Sequence, residues 1–394
     1  MGCQKMNFLR AIFALILLLP FHASADSVAI PVASVAARDV MVDASATAML
    51  SIASATASST AGIRGGEQVL AAICYHRFGI ETRLDPYRIS PLRLAGQLRW
   101  LRANGWTSVS LTQVAAALDG DMQALPQKGV LLSVDDGYKA GELCAPVFKR
   151  YGFHAVYFVV PSMLGHSGFL SYQDLRELES YGQEVASHTL SHPDLAKVPE
   201  GMDPLAYARW VDRELRESKR LLEQALGHPV DALAWPYGAY NSTVAAAALR
   251  VGYRQLWSVS GGLNSVQGLD RARLRRIVLQ GLPPLKSFRR RLRSRPLLGP
   301  VDCIADGDLF YRSQLPLGLS VPQGIEAALD GRPLALNGTG NLVLTETVGD
   351  GFHFLNLAGK AGGRTTSFLF QVAPDDWKPY FDALASDVSL TASP

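Results

Sequence analysis

Short apolar runs alternate with longer amphipathic stretches between Glu67 and about Leu292. The runs predict strands over Val69 to Tyr75, Val130 to Val134, Ala155 to Val160, Glu184 to Ser187, Ala232 to Trp235, Gln255 to Val259 and Leu274 to Leu279. The stretches between them predict helices with readable ends. Ser90-Pro91, Asp203-Pro204 and Asn241 are N-cap signals, and Gly105, Gly152, Gly182, Gly227 and Gly252 stand where C-terminal glycines belong. The longest helix, from about Pro204 to Leu226, sets Val211, Leu215, Leu222 and Leu226 on one stripe, away from Arg213, Glu217 and Arg220, so one face packs on a core. Repeated strand, helix, glycine, strand units predict a mostly parallel sheet, either a barrel or a wide doubly wound sheet. Chemistry is then expected at the carboxyl ends of the strands.

After Pro296 the pattern changes. Gly324 to Leu329, Leu334 to Leu336, Asn341 to Thr347, Phe352 to Leu357 and Thr366 to Val372 alternate apolar and polar positions, separated by Asp330-Gly331, Asn337-Gly338, Asp350-Gly351 and Gly362-Gly363. This spacing predicts a small all-β sandwich-like domain over 297–394, with a final helix or tail from Asp375.

The other end of the chain is different again. Lys5 and Arg10, the apolar run Ala11 to Leu19, Pro20 and Ala23-Ser24-Ala25 have the layout of a secretory signal peptide over residues 1–25. Export to the periplasm or outside the cell is the expectation, with no membrane span after cleavage; the run is short against the roughly 20 residues a bilayer needs, and an uncleaved anchor is the alternative. Residues 26–66, rich in Ala, Ser, Val and Thr, read as a linker. The 394 residues, 48% hydrophobic and 19% charged, exclude a disordered or fibrous chain. A net charge of +3 gives no electrostatic reason to expect nucleic acid. The short basic runs Arg271 to Arg276 and Arg289 to Arg295 read as a solvated edge or an interdomain hinge. Cys74, Cys144 and Cys303 are too widely spaced for a zinc site or a disulfide framework, and the first two read as small buried hydrophobes.

Three polar motifs follow predicted strands. Asp135-Asp136-Gly137-Tyr138 closes one; two adjacent carboxylates in a low dielectric need a cation, although Asp-Asp-Gly is also good turn chemistry. His188 and His192 stand at i and i+4, so one helical turn would let both imidazoles reach one cation, while a surface turn is the plainer reading. With one carboxylate they would make a three-ligand site with open positions. Trp235-Pro236-Tyr237-Gly238 is a bend whose aromatic residues suit a sugar groove or a core.

In this order the motifs resemble the polysaccharide deacetylases of the NodB-homology type, carbohydrate esterase family 4, over roughly Glu67 to Leu279, within a domain expected over 67–292. The resemblance implies a distorted (β/α)7-type barrel. It implies Asp135 as catalytic base, Asp136, His188 and His192 as ligands of a divalent metal, with Zn²⁺ expected and Co²⁺ or Ni²⁺ as alternatives, and the Tyr237 backbone N–H as oxyanion donor. Tyr138, Trp235, Pro236 and Trp257 are expected against the substrate, Trp257 being readable as core as well. Two positions depart from the family pattern. The Arg of the third motif falls on Ala234, and no His occurs between His228 and His353 to act as general acid, the corresponding stretch reading Leu274-Arg275-Arg276-Ile277-Val278. Both departures resemble the branch acting on poly-β-1,6-N-acetylglucosamine, which also opens with a strand ending Tyr-His, here Tyr75-His76, so His76 is a candidate acid. The implied activity is metal-dependent N-deacetylation of an N-acetylglucosamine polysaccharide. Peptidoglycan and chitin oligosaccharides are rival substrates, and a catalytically weak glycan-binding protein is the rival class. The C-terminal domain could contact glycan or a secretion machinery.

Overall fold

The computed structural model describes residues 67–82, 84–280, 285–295, 304–320, 324–335, 341–344, 348–359 and 364–386. The expected leader and linker, Cys303 and the turns at Asn337-Gly338 and Gly362-Gly363 lie outside the described residues.

Parallel strands β1 (Val69–Tyr75), β2 (Lys128–Asp136), β3 (Ala155–Val159), β4 (Glu184–Ser187), β5 (Ala232–Ala234) and β6 (Gln255–Trp257) pair in that order. The chain then returns. Leu274 bridges Trp257 in parallel, and β7 (Ile277–Val278) pairs with Ile73 and Cys74 of β1, so the segment leading into β7 touches both edges of the sheet and curls it into a distorted barrel. The connecting helices are α1 (Pro91–Ala103), α2 (Leu111–Leu118), α3 (Ala145–Arg150), α4 (Tyr172–Ser180), α5 (Pro204–Leu226) and α6 (Ser242–Val251), followed after β7 by α7 (Leu285–Arg291). Their starts obey local chemistry: Ser90, Asp203 and Asn241 each accept a hydrogen bond from a backbone N–H in the first turn, and Gly227 and Gly252 end α5 and α6 in the left-handed conformation.

Every side chain on β1 is buried, yet the two faces differ. Val69, Ala71, Ile73 and Tyr75 pack outward with the helices, while Leu70 and Ala72 join Leu131, Val156, Phe158, Ala186, Ala234 and Trp257 inside the barrel. This period-two alternation carries the interior face upward to the strand ends.

The C-terminal region is β-rich, as its pattern predicts. A sheet runs β8 (Asp308–Tyr311), β12 (Thr365–Ala373), β11 (Gly351–Gly359), β9 (Ile325–Leu329), β10 (Arg332–Leu334), with a separate antiparallel pair, Leu317–Ser320 with Asn341–Leu344. Alternate residues of β12 face opposite ways. Phe370 and Val372 pack with Leu344, Leu355 and Leu357, whereas Leu369 and Ala373 join Val211, Leu215 and Val244 on the barrel helices, together with Phe381 of α8 (Lys378–Ala385). The sheet is thus seated on α5 and α6. No helix among the described residues is long and apolar enough to cross a membrane.

The segment between β1 and α1 is pinned at the cleft rim by Glu81. Its carboxylate accepts from the Ser90 N–H and hydroxyl, each at 2.9 Å, and from Arg93 Nε at 2.7 Å and Nη2 at 2.8 Å. The bidentate Arg93 contact leads the causes that hold this carboxyl down to about 2. A carboxyl pKa lowered by folding adds stability above its unfolded value and loses it as pH falls towards the folded value. Glu81→Gln should therefore lower the melting temperature by roughly 2–4 °C at pH 7. That gap should close as pH is taken from about 4.5 down to about 2, which thermal scans across the range would read.

Candidate functional site

The interior alternation brings the polar residues together. On β2, Leu131 faces inward, and the same face carries Ser133 and then Asp135 at the strand end; on β1 it carries Cys74 and leads to His76. Asp136, Thr189, His192 and Tyr237 are four of the five non-glycine residues with positive φ among the described residues, at 72°, 63°, 66° and 59°. Such left-handed backbone costs energy and collects at functional sites. Thr189 and His192 also correct the expected helical turn: residues 188 to 192 form an irregular bend. The two imidazoles converge nonetheless, their ring centroids 4.8 Å apart.

Asp136, His188 and His192 present donor atoms within 4.8 Å of one another. Asp136 Oδ1 lies 3.5 Å from His188 Nε2 and 3.3 Å from His192 Nε2. His188 is buried, and its Nδ1 is 2.8 Å from the Ala234 carbonyl, to which it donates, so the ring is oriented with Nε2 towards Asp136. Burial opposes ionisation of Asp136, but its contacts to His188 and His192 outweigh it and hold the carboxyl well below the usual range. Two oriented imidazoles and an ionised carboxylate fit a divalent cation. A second trio, Cys74, His76 and Asp135, also lies within 4.8 Å. It fits a cation less well, because burial and Asp135 raise the Cys74 thiol well above its ordinary pKa and a guanidinium already occupies Asp135.

That guanidinium belongs to Arg276. Its Nη1 donates to Asp135 Oδ1 at 2.7 Å and to Ser133 Oγ at 3.1 Å, and its Nε donates to the Ser258 carbonyl at 3.1 Å. The Asp135 and Arg276 side chains are 3% and 0% exposed, so the pair is screened from water. Burial alone would raise the Asp135 pKa; Arg276, His188 and His76 reverse it and keep the carboxylate ionised. Cys74 donates its S–H to Asp135 Oδ2 at 3.3 Å, a role beyond the small hydrophobe expected of it. Arg276 is the residue that sequence reasoning missed, having been read within a solvated edge or hinge. One signal for it existed: Leu274 faces the barrel interior, and a strand places residue i+2 on the same face.

The site opens into a cleft of about 680 Å³ whose wall includes His76, Tyr87, Tyr138, Phe169, Trp235 and Tyr237. His76 packs its ring 4.7 Å from that of Tyr87, and burial lowers its pKa against the pull of Asp135 and Asp136. Tyr138 is sandwiched between Phe169, at 5.0 Å between centroids, and the Arg77 guanidinium, 4.1 Å from its ring. Tyr237 is 59% exposed and sets its ring edge-on to His192 at 4.7 Å. The bend after β5 requires Gly238, where a Cβ would come within 2.0 Å of Val259 Cγ2. Pro236 is buried and shapes this bend without lining the cleft. Trp257, expected against the substrate, is instead fully buried in the barrel interior, because it alternates with the outward Leu256. This corrects its expected place on the cleft wall.

Residues 123–256 match the family model described as polysaccharide deacetylase. YxkH of Bacillus subtilis, which carries a polysaccharide deacetylase name, is 27% identical over 47% of this chain and 62% of its own length. Poly-beta-1,6-N-acetyl-D-glucosamine N-deacetylase of Escherichia coli K12 is 28% identical over 55% of this chain and 37% of its own length. The chain thus spans less than two thirds of either relative. Among solved structures, the Streptococcus pyogenes deacetylase PplD in complex with acetate superposes with a TM-score of 0.51 at 23% identity, covering 57% of this chain and 99% of that one, a likeness of fold. Residues 123–256 are thus similar to polysaccharide deacetylases, and the barrel shares its fold with a solved deacetylase.

Proposed function

We propose that this chain is a metal-dependent N-deacetylase of an N-acetylglucosamine polymer, with the β-1,6-linked exopolysaccharide of biofilms as its substrate and Zn²⁺ as its metal. One observation carries the reading: an ionised, buried carboxylate held by Arg276 stands beside a separate carboxylate and two imidazoles that suit a cation. The E. coli relative's name supports the linkage. A cation held by Asp136, His188 and His192 supplies Lewis-acid polarisation of the acetamide carbonyl and acidifies nearby water.

The chain's own residues do the rest. Asp135, fixed by Arg276 and ionised, takes a proton from the water whose oxygen bonds to the acetyl carbon. The Tyr237 N–H, on a backbone already held at φ 59°, is preorganised to donate to the oxyanion. The carbon–nitrogen bond then breaks, His76 is the group placed to protonate the amine, and acetate and a glucosamine amine leave. Burial keeps the His76 imidazolium scarce near neutral pH, so slow leaving-group protonation is expected to limit turnover. The exposed Tyr237 ring offers a flat face to an uncharged sugar chain, beside the Arg77, Tyr138, Phe169 stack in the cleft wall.

Acetate release from β-1,6-linked and β-1,4-linked N-acetylglucosamine oligomers, with Zn²⁺ or Co²⁺ supplied, tests the substrate. A rate at least about tenfold higher on the β-1,6 oligomer is expected, the scale set by one lost well-placed contact. Equal or reversed rates would overturn the linkage, and release from neither would overturn the enzyme reading.

A further inference from the structure

Asp306 is a buried carboxylate, 2% exposed, that the chemistry above does not use. It enters from the start of the C-terminal region, just before β8. It accepts hydrogen bonds from Ser260 Oγ at 2.7 Å and from the Leu369 N–H of β12 at 2.7 Å, with Ser258 Oγ at 3.4 Å. Ser258 and Ser260 stand on the loop after β6, their hydroxyls 2.8 Å apart. That loop grips Arg276 twice. The Gly261 N–H donates to the Arg276 carbonyl at 3.1 Å, and Arg276 Nε donates to the Ser258 carbonyl at 3.1 Å. Arg276 Nη2 has no hydrogen-bond partner among the described residues, so the guanidinium is aimed by the hydrogen bonds of Nε and Nη1 and by its packing over the Phe158 ring, 5.1 Å from the centroid.

A second contact from the same segment supports another part of the cleft wall. The Gly307 carbonyl accepts from the Ser242 N–H at 2.9 Å, and a Cβ on Gly307 would come within 2.5 Å of the Tyr240 ring. Tyr240 lies parallel to Trp235, with 1° between planes and 5.7 Å between centroids, and Trp235 lines the cleft.

We propose that Asp306 is a positioning residue for Asp135, acting through the Ser258 to Gly261 loop and Arg276, so that the C-terminal region completes the active site of the barrel. A catalytic group must be held to within about 0.5 Å of its productive place, and supporting contacts of this kind do that. The rate predictions rest on the deacetylase reading; the positional one does not.

The test uses the full chain. Asp306→Ala should lower kcat by about 10- to 100-fold with KM within about twofold, and Ser260→Ala should lower it in the same direction by less. Combining Asp306→Ala with Arg276→Ala should cost little beyond Arg276→Ala alone, since both break one relay. A role confined to folding would lower the melting temperature and give neither the kcat split nor the coupling. Crystal structures of wild type, Asp306→Ala and Ser260→Ala read the guanidinium directly and need no turnover. Arg276 displaced from Asp135 in the variants is the expected result. If Asp306→Ala does not fold, Ser260→Ala and Asp306→Asn carry the comparison. Arg276 unmoved in every folded variant, or rate losses that simply multiply in the double variant, would overturn the proposal. Should wild type release no acetate, the deacetylase reading fails while the structural comparison still decides this one.

Discussion

Asp135→Asn should cut acetate release on the order of 10³-fold while leaving bound metal at wild-type stoichiometry, because general-base catalysis is worth about 10²–10⁴ and the ligand trio is untouched. Asparagine keeps the shape and an oxygen for Arg276 Nη1, so the loss is one of basicity more than of geometry. The change also leaves a guanidinium buried without its counter-charge. Breaking a buried pair outright costs about 3–5 kcal/mol, and Asn, which keeps one hydrogen bond, should cost less. Steady-state rates, metal analysis and melting curves on one preparation separate these effects. Near wild-type turnover in Asp135→Asn would remove Asp135 from the role of base.

His188→Ala and Asp136→Ala should each weaken metal binding by more than about 100-fold, the upper end of what loss of a mere supporting contact costs. His188 is the more informative position. Its Nδ1 contact to the Ala234 carbonyl already fixes the ring, so the wild-type site is preorganised and truncation removes both donor and orientation. Metal titration in the absence of substrate checks this. Full retention of metal in both variants would contradict the ligand assignment and turn attention to Cys74, His76 and Asp135, the other trio of suitable donors.

The two constellations were legible in the sequence because each is local. Asp135-Asp136 and His188 with His192 follow buried strands, and parallel strands deliver their carboxyl ends to one side of a sheet. Helix starts were equally legible, since Ser90, Asp203 and Asn241 cap through their own side chains. Spacing misled where backbone strain took over. His192 reaches the site through left-handed residues, and no i, i+4 rule encodes that. Trp257 was misplaced because an aromatic residue near a strand end suits a pocket and a core equally; only its alternation with Leu256 puts it inside. Arg276 stood in a run of arginines that looked solvated, and its partner Asp135 lies 141 residues earlier in the chain. The contact between Asp306 and Ser260, 46 residues apart, has no sequence signature either. Long-range polar pairs need the fold before they can be seen.

The most direct measurement counts acetate and newly exposed amines in one reaction of the purified chain with an N-acetylglucosamine oligomer, with and without a chelator. A deacetylase gives the two products in equal amounts, loses both on chelation and regains them when Zn²⁺ or Co²⁺ is restored. No acetate under any metal, or acetate release that survives complete metal removal, would contradict the account.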